Sequence, residues 1–371
     1  MDNHFYAKLA AQSIAGEAAS LEDARAILTS PKVELLPLLN AAFDVRQKFT
    51  GKAVKIHIIN NAQNGNCRED CHYCAQAKTS TTDIEDYPLK PDDEILAEAK
   101  NAYEKGAFRY CMVFAGRGPS MSRVEHLARL IRLIKSTYNI QICVSCGLLN
   151  ADKAKLLKKA GLDRLNHNLN TSREHYPEIC TTHTYDDRLT TLQAARREGI
   201  KLCSGMIVGM KETTDDVIEV AMTLRELKVE SIPVNFLIPI TGSKMNFVPD
   251  LTPQYCLRVL CLFRVLNPRA EIRVAAGREI HLRSMEVMAL YPANSLFLDG
   301  YLNTKGEDRL RTLQMIRDAG FTVESDHPLE ELIDNEKSSL SAAIPNTSCG
   351  CQQVEMKDIN DLRPALNQPS K

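Results

Sequence analysis

Short apolar segments recur along the chain, and each is followed by a turn and a segment with helical periodicity. In one such segment Val124, Leu127, Ile131 and Ile134 return at the spacing of a single helix face. Glycine follows several of these segments, at the position where a left-handed residue ends a helix. These glycines are Gly106, Gly161, Gly199 and Gly320. The pattern predicts strands that alternate with helices.

The apolar segments themselves predict eight strands. They cover residues 54–59, 109–114, 140–145, 164–168, 201–208, 232–237, 272–276 and 295–298. Strands that alternate with helices form a parallel sheet with helices against it. Eight repeats without an obvious edge strand favour a sheet closed on itself, so the predicted fold is α/β, a (β/α)8 barrel of the TIM type.

The two ends of the chain do not follow this pattern. Residues 1–45 are predicted to be a helical extension packed outside the barrel, which itself occupies residues 46–325. Residues 326–371 are polar and weakly periodic, so we expect a loosely ordered tail. This tail carries Cys349 and Cys351, separated by one glycine.

Composition narrows the classes of function. The net charge is −1 and the pI is near 6.8, so we expect no nucleic-acid partner. Apolar runs fall far short of the roughly 20 residues that cross a bilayer, and we expect no membrane association. The first residues lack the basic and apolar regions of a secretory signal, so we predict a cytoplasmic protein.

Twelve cysteines are many for such a chain, because disulfides are rare in the cytoplasm. Metal ligation or redox chemistry is the usual reason for a high count there. A cysteine is also a small hydrophobe, and we interpret Cys256 and Cys261 as core residues of an apolar helix.

Cys67, Cys71 and Cys74 follow the first predicted strand with the spacing C-x3-C-x2-C. Barrel active sites lie at this end of the strands. Three thiolates can hold three irons of a [4Fe–4S] cluster and leave the fourth iron open. A zinc site is an alternative in which His72 helps as a ligand. A ferredoxin-like carrier is another, but it needs a fourth cysteine nearby and the next one is Cys111.

Three further cysteines lie on other predicted strands: Cys111, Cys143 and Cys203. Arg273 lies on the seventh predicted strand. Arg109 and Cys111 are two positions apart and therefore share a strand face. A lone strand cysteine is usually core, but three of them beside an arginine suggest that these side chains meet inside the barrel.

The motif C-x3-C-x-aromatic-C, with Tyr73 as the aromatic residue, resembles the signature of the radical S-adenosylmethionine superfamily. From about residue 45 to residue 325 the chain resembles the biotin synthase family in particular. It includes residues 166–172, 204–212 and 232–237. The resemblance implies a [4Fe–4S] cluster on Cys67, Cys71 and Cys74 that cleaves S-adenosylmethionine to a 5′-deoxyadenosyl radical.

The same resemblance implies a second, auxiliary iron–sulfur cluster inside the barrel, of the [2Fe–2S] type in the family. Its ligands would be Cys111, Cys143, Cys203 and Arg273. The first cluster's cysteines and Arg273 would thus be the catalytic residues.

Residues for the cofactor and the substrate are also implied. Tyr73, Asn168 and Asn170 would contact S-adenosylmethionine, and Arg188 would pair with its carboxylate. Asn168 would also lie near the substrate, and Asn235 would contact the substrate's ureido ring. Read without the family, these asparagines are ordinary turn or cap residues.

The implied reaction inserts one sulfur into dethiobiotin to give biotin, with the auxiliary cluster as sulfur donor. The implied partners are a flavodoxin- or ferredoxin-type reductant, iron–sulfur assembly machinery and a second subunit in a homodimer. One rival is a related barrel enzyme of the hydrogenase-maturation or methylornithine-forming type. The other is an iron–sulfur carrier without catalysis, which would leave Arg188 and Asn168 without a task.

The tail cysteines raise one further hypothesis. Two thiolates one residue apart can chelate one metal, so Cys349 and Cys351 would reach the auxiliary cluster, and Cys146 could join them. The alternative is that these tail cysteines are incidental. If they ligate, a Cys349→Ser/Cys351→Ser double variant should lose bound iron and sulfide in elemental analysis. Unchanged iron, sulfide and turnover would remove the hypothesis.

Overall fold

The protein is described by a computed structural model that covers residues 1, 3–341 and 356–364. The strands of the described residues are β1 (Ala53–Gln63), β2 (Arg109–Phe114), β3 (Gln141–Ser145), β4 (Arg164–Asn166), β5 (Lys201–Cys203), β6 (Met206–Val208), β7 (Ser231–Phe236), β8 (Glu271–Val274), β9 (Ser295–Phe297) and β10 (Thr322–Val323). Their pairs are all parallel.

The sheet closes on itself. Its strands follow the order β1-β2-β3-β4-β5-β7-β8-β9, and β9 pairs again with β1. Ile56 of β1 stands opposite Leu296 of β9 at this closure. The predicted (β/α)8 barrel is therefore confirmed. The short strand β10 lies outside the barrel, where it pairs with the start of β1.

Helices surround the barrel. The longer ones are α1 (Asn3–Ala15), α2 (Leu21–Thr29), α3 (Leu35–Thr50), α4 (Asp92–Glu104), α5 (Met121–Thr137), α6 (Ala151–Lys159), α8 (Tyr185–Arg197), α9 (Thr214–Glu226), α10 (Pro253–Leu266), α12 (Arg309–Asp318) and α13 (Leu329–Ser341). Short helices are α7 (Tyr176–Ile179), α11 (Arg278–Leu282) and α14 (Ile359–Leu362), and residues Arg283–Leu290 form a 3-10 helix.

The predicted fifth strand, residues 201–208, is divided into β5 and β6. The break falls at Ser204 and Gly205, whose hydrogen bonds go partly to the segment that follows β4. The Gly205 N–H donates to Asn168 Oδ1 (3.1 Å), and the Gly205 carbonyl accepts from the backbone of Asn170 (2.9 Å). The chain therefore leaves the regular strand in order to hold the residues after β4 at the mouth of the barrel.

The first three helices pack outside the barrel, with α2 and α3 against α10. Helix α3 continues to Thr50, beyond the predicted limit of the extension at residue 45. Cys256 and Cys261 on α10 have no solvent exposure, which confirms their interpretation as core residues. Burial raises the pKa of the Cys256 thiol to about 12.

The C-terminal part is more ordered than the sequence suggested. Residues 329–341 form α13, in which Leu332 and Ile333 are buried, so the expectation of a loose tail is wrong for this stretch. Residues 356–364 return to the barrel, where Arg363 bonds to Glu94 on α4. Cys349 and Cys351 lie outside the described residues. None of the described helices is both long and apolar enough to cross a membrane.

Gly205 provides a test of this packing. A Cβ atom there would lie 1.8 Å from the Pro233 carbonyl oxygen, which belongs to β7 and cannot rotate away. We expect Gly205→Ala to lower the free energy of unfolding in urea by about 3 kcal/mol, because the neighbouring backbone must move.

Gly199→Ala is the matched control. Gly199 has a φ of +74°, but its nearest neighbour is a flexible lysine atom at 3.7 Å. It should therefore cost only the left-handed penalty of about 1 kcal/mol. Equal losses for the two variants would contradict the crowding at Gly205.

Candidate active site

A cavity opens at the carboxyl ends of the barrel strands, and the loop after β1 forms one of its walls. Cys67, Cys71 and Cys74 on this loop all line the cavity. Residues predicted to contact cofactor and substrate line it as well, namely Tyr73, Asn168, Asn170, Arg188 and Asn235. The structure thus brings the predicted outer set of site residues together, although they lie on three separate parts of the barrel: the loop after β1, the connection between β4 and β5, and strand β7.

Two acidic residues between the cysteines anchor the loop. Asp70 accepts from the backbone N–H groups of Thr181 (3.0 Å) and Thr182 (3.2 Å). Glu69 accepts from His183 Nδ1 at 2.5 Å. Burial opposes ionisation of Asp70, but hydrogen bonds, led by those from Thr181, lower its pKa. The cysteine loop is thereby tied to the segment between α7 and α8.

A fourth thiol, which the sequence did not single out, lies beside this loop. Cys180 Sγ is 3.9 Å from Cys71 Sγ and 3.3 Å from His183 Nδ1. Hydrogen bonds from Cys71, and then from His183, lower the pKa of Cys180 to about 4. Burial raises the pKa of Cys74 to about 11. Cys71 and Cys180 are 109 positions apart, so no local spacing could have indicated their contact.

Arg188 is buried at the cavity wall with each of its nitrogen atoms hydrogen-bonded. Nη1 donates to the Asn168 carbonyl oxygen (2.8 Å), Nη2 lies 2.8 Å from His183 Nε2, and Nε donates to the Tyr176 hydroxyl. Burial alone would lower its pKa, but nearby groups, led by Tyr73, raise it. Arg188 is therefore a fixed cation at this wall.

The three predicted asparagines differ in their contacts. Asn170 has a φ of +71° and donates to the Tyr73 hydroxyl at 2.5 Å, while its Oδ1 is buried without a partner among the described residues. Asn168 Oδ1 accepts from Gly205. Asn235 donates to the Met206 carbonyl oxygen (3.0 Å) and accepts from the Ala276 N–H (3.2 Å). The amide of Asn235 thus links the backbones on both sides of β7.

Deeper in the barrel, the second set of predicted residues also meets. Cys111, Cys143 and Cys203 form one buried cluster. The neighbouring Cys111 thiol raises the pKa of Cys143 to about 12. Arg273 Nη1 is 3.7 Å from Cys203 Sγ. The inward direction that the strand positions suggested is therefore correct for all four side chains.

A buried carboxylate that sequence reasoning missed holds this inner group. Glu271 accepts from Arg109 Nη1 (2.9 Å) and Nη2 (3.0 Å), and from Arg273 Nη2 (2.7 Å). His57 Nε2 lies 2.9 Å from Glu271 Oε1. Burial alone would raise the pKa of Glu271, but Arg109 and then His57 hold it well below its usual value. The only sequence signal was that Glu271 and Arg273 share a strand face.

Cys146 lies apart from both groups. It packs in the main hydrophobic core rather than in the inner cysteine cluster. Burial raises its pKa to about 12.

Comparison with known proteins first gives the class. The model of the radical SAM superfamily matches residues 64–224, and that of the biotin and thiamin synthesis associated domain matches residues 233–322. A methylornithine synthase structure superimposes with a TM-score of 0.74 over 89% of this chain and 99% of its own, at 18% identity. An FeFe-hydrogenase maturase from Carboxydothermus hydrogenoformans gives 0.72 over 88% and 81%, at 19% identity. These two share the fold, and the class is a radical SAM barrel.

Curated relatives then give the family. Biotin synthase of Magnetococcus marinus is 55% identical over 85% of this chain and 98% of its own length. Biotin synthase of Acaryochloris marina is 55% identical over 80% and 86%, and that of Lysinibacillus sphaericus is 46% identical over 87% and 98%. The chain belongs to the biotin synthase family.

Removal of Glu271 tests the buried charge network. In Glu271→Ala, the guanidinium groups of Arg109 and Arg273 lose their common counter-charge inside the barrel. We expect the free energy of unfolding of the apo-protein to fall by about 3–5 kcal/mol, measured by urea denaturation.

Gln141→Ala is the control, because the Gln141 side chain is uncharged and accepts a hydrogen bond from Arg109 Nη2. Its loss should cost about 1 kcal/mol. A Glu271→Ala variant as stable as Gln141→Ala would show that the carboxylate does not hold the barrel interior together.

Proposed function

We propose that the chain converts dethiobiotin to biotin by radical insertion of sulfur. The observation that carries the proposal is that one barrel holds two separate groups of three cysteines, one group above the other. Cys67, Cys71 and Cys74 stand at the cavity, and the cluster of Cys111, Cys143 and Cys203 lies beneath it. The membership of the biotin synthase family supports the same reaction.

The outer thiols fit a [4Fe–4S] cluster. Three cysteines on one short loop match the three irons that such a cluster offers to protein ligands in this class. When bound there, the cluster with S-adenosylmethionine would supply the 5′-deoxyadenosyl radical. Cys180 lies outside the motif, and its thiol contacts Asp70 Oδ1 and His183 Nδ1.

The cavity wall fits S-adenosylmethionine. Arg188 is a fixed guanidinium suited to a carboxylate, and the Asn170 Oδ1 atom is a buried acceptor suited to a ribose hydroxyl. Asn168 and Asn170 are held in place by the Gly205 backbone. These residues would bind and orient the cofactor without rearrangement of the barrel.

The inner thiols and Arg273 fit an auxiliary iron–sulfur cluster, which the family resemblance makes a [2Fe–2S] cluster and the sulfur donor. Tyr301 lines the cavity and also packs against the inner cysteine cluster. A substrate beside Tyr301 would therefore lie between the outer and the inner group of cysteines. Asn235 and Asn168 would contact its ureido ring, and apolar neighbours such as Phe236 would exclude water.

The rival activities lack a comparable observation. The methylornithine synthase and the hydrogenase maturase share only the fold, at 18% and 19% identity. An iron–sulfur carrier would not need Arg188 buried at the wall of an open cavity. We further propose a cytoplasmic homodimer that receives electrons from a flavodoxin- or ferredoxin-type protein and clusters from assembly machinery, in keeping with the family resemblance.

Product analysis tests the function. Anaerobically reconstituted protein with reductant, S-adenosylmethionine and dethiobiotin should form biotin and 5′-deoxyadenosine, followed by mass spectrometry. Cys71→Ala should abolish both products, because the radical source is lost. Cys203→Ala should keep deoxyadenosine but lower biotin by at least about tenfold, since only the sulfur donor is affected.

Cys146→Ser is the matched control, because Cys146 is a buried cysteine outside both groups, and it should keep both products. If the unaltered chain forms 5′-deoxyadenosine but no biotin, the chain is a radical enzyme and dethiobiotin is not its substrate. Neither product, from protein with verified iron and sulfide, would favour the carrier.

A further inference from the structure

Cys180 has no role in the proposed function, although its thiol lies beside the cysteine loop. Its Sγ atom is 3.9 Å from Cys71 Sγ, 3.3 Å from Asp70 Oδ1 and 3.3 Å from His183 Nδ1. A buried cysteine that serves only as a small hydrophobe needs no such partners. The thiol of Cys180 instead has two polar groups and a second thiol around it.

Hydrogen bonds on both sides place the two cysteines opposite each other. On one side, Asp70 Oδ1 accepts from the backbone N–H of Thr181 at 3.0 Å. On the other side, the backbone N–H of His72 donates to the Ile179 carbonyl oxygen at 2.9 Å. The two cysteines lie between these bonded neighbours on segments that run in opposite directions, so their side chains meet. Protein groups alone make these bonds, which can therefore hold the two thiols together without a metal.

The two thiols differ in access. Cys71 lines the cavity, where a small oxidant can reach its sulfur atom. Cys180, which is also among the described residues, is 2% exposed and does not line the cavity. When iron is bound, it occupies the thiolate of Cys71 and keeps it from other reactions. Oxidation of Cys71 is therefore expected in chains that do not carry the outer cluster.

We propose that Cys71 and Cys180 form a reversible disulfide when the outer cluster is not bound. Hydrogen peroxide, as the oxidant, converts the Cys71 thiol to a sulfenic acid and releases one water. The Cys180 sulfur then attacks the Cys71 sulfur, the S–O bond breaks, and the departing hydroxide takes the Cys180 proton to form a second water. The two thiols lose two electrons in all, and the peroxide gains them. A dithiol reductant restores both thiols by exchange.

The disulfide protects a ligand of the outer cluster. A sulfenic acid with no thiol beside it is oxidised further to a sulfinic acid, which thiols do not reduce. Cys180 Sγ is 3.9 Å from Cys71 Sγ, and rotation of the two side chains brings the sulfur atoms to the bonding distance of about 2.05 Å. The inference rests on the proposed function only in that Cys67, Cys71 and Cys74 hold an iron–sulfur cluster.

Peptide mapping of the unaltered chain tests the linkage directly. The full-length protein is freed of iron by chelation, exposed to a small excess of hydrogen peroxide, blocked with an alkylating reagent and digested for mass spectrometry. The peptides that contain Cys71 and Cys180 should be joined by a disulfide that a dithiol reverses. Disulfides confined to Cys67, Cys71 and Cys74 would overturn the proposal. Cys71 recovered as sulfinic acid beside an alkylated Cys180 would overturn it as well.

Two variants test the protection. After peroxide, dithiol and reconstitution, Cys180→Ser should regain several-fold less outer cluster than the unaltered chain, measured by EPR of the reduced [4Fe–4S] cluster, because Cys71 stays a sulfinic acid. Without peroxide, it should bind the cluster as the unaltered chain does. Cys146→Ser is the matched control and should recover fully, since Cys146 is a buried cysteine that belongs to neither group of three. Equal recovery of the two variants would contradict the protection. If Cys180→Ser does not fold, the peptide mapping decides, because it needs no variant.

Product analysis on the unaltered chain separates this inference from the proposed function. Biotin formation by a chain that forms no disulfide between Cys71 and Cys180 retains the function and rejects the modification. The disulfide without biotin formation retains the modification and rejects the function.

Discussion

The carboxylate of Glu271 lies where side chains from β1, β2 and β8 meet inside the barrel. It forms ion pairs with Arg109 from β2 and with Arg273 from its own strand, and it bonds to His57 from β1. Two guanidinium groups in a water-free interior repel each other unless a counter-charge stands between them. The polar interior of this barrel therefore depends on one acidic residue, and the inner thiols gain their fixed surroundings from the same interaction.

That charge network lies below the thiols, and the cavity lies above them. Barrels usually fill this interior with layers of branched apolar side chains. Here the layer of Cys111, Cys143 and Cys203 is covered instead by Phe297 and Tyr301, and Tyr301 reaches the cavity wall. The two groups of cysteines are thus separated by a few side chains, which is the arrangement that a reaction using both would require.

The mouth of the barrel is shaped by a departure from regular strand structure. The interruption between β5 and β6 lets Gly205 bond to both Asn168 and Asn170, and no side chain larger than hydrogen would fit against Pro233. Arg188 then joins the Asn168 carbonyl to His183, which bonds to Glu69 on the cysteine loop. One continuous set of contacts therefore links the segment after β4 to the loop that bears Cys67, Cys71 and Cys74.

The sequence by itself determined the features that depend on short-range order. Strand and helix periodicity identified the barrel, and the close spacing of Cys67, Cys71 and Cys74 identified the outer group, because residues so near in sequence stay near in space. The alternation of side chains along a strand was enough to place Arg109 and Cys111 on one face, and the family resemblance directed attention to Arg273.

Only the tertiary structure decided which distant residues meet. His57 and Glu271 are 214 positions apart, from 271 minus 57, and they approach because the barrel closes between β9 and β1. Cys180 reaches Cys71 for a similar reason, since Asp70 draws the segment after α7 onto the cysteine loop. Contacts of this kind depend on chain closure and on buried charge, and neither leaves a periodic signal in the sequence.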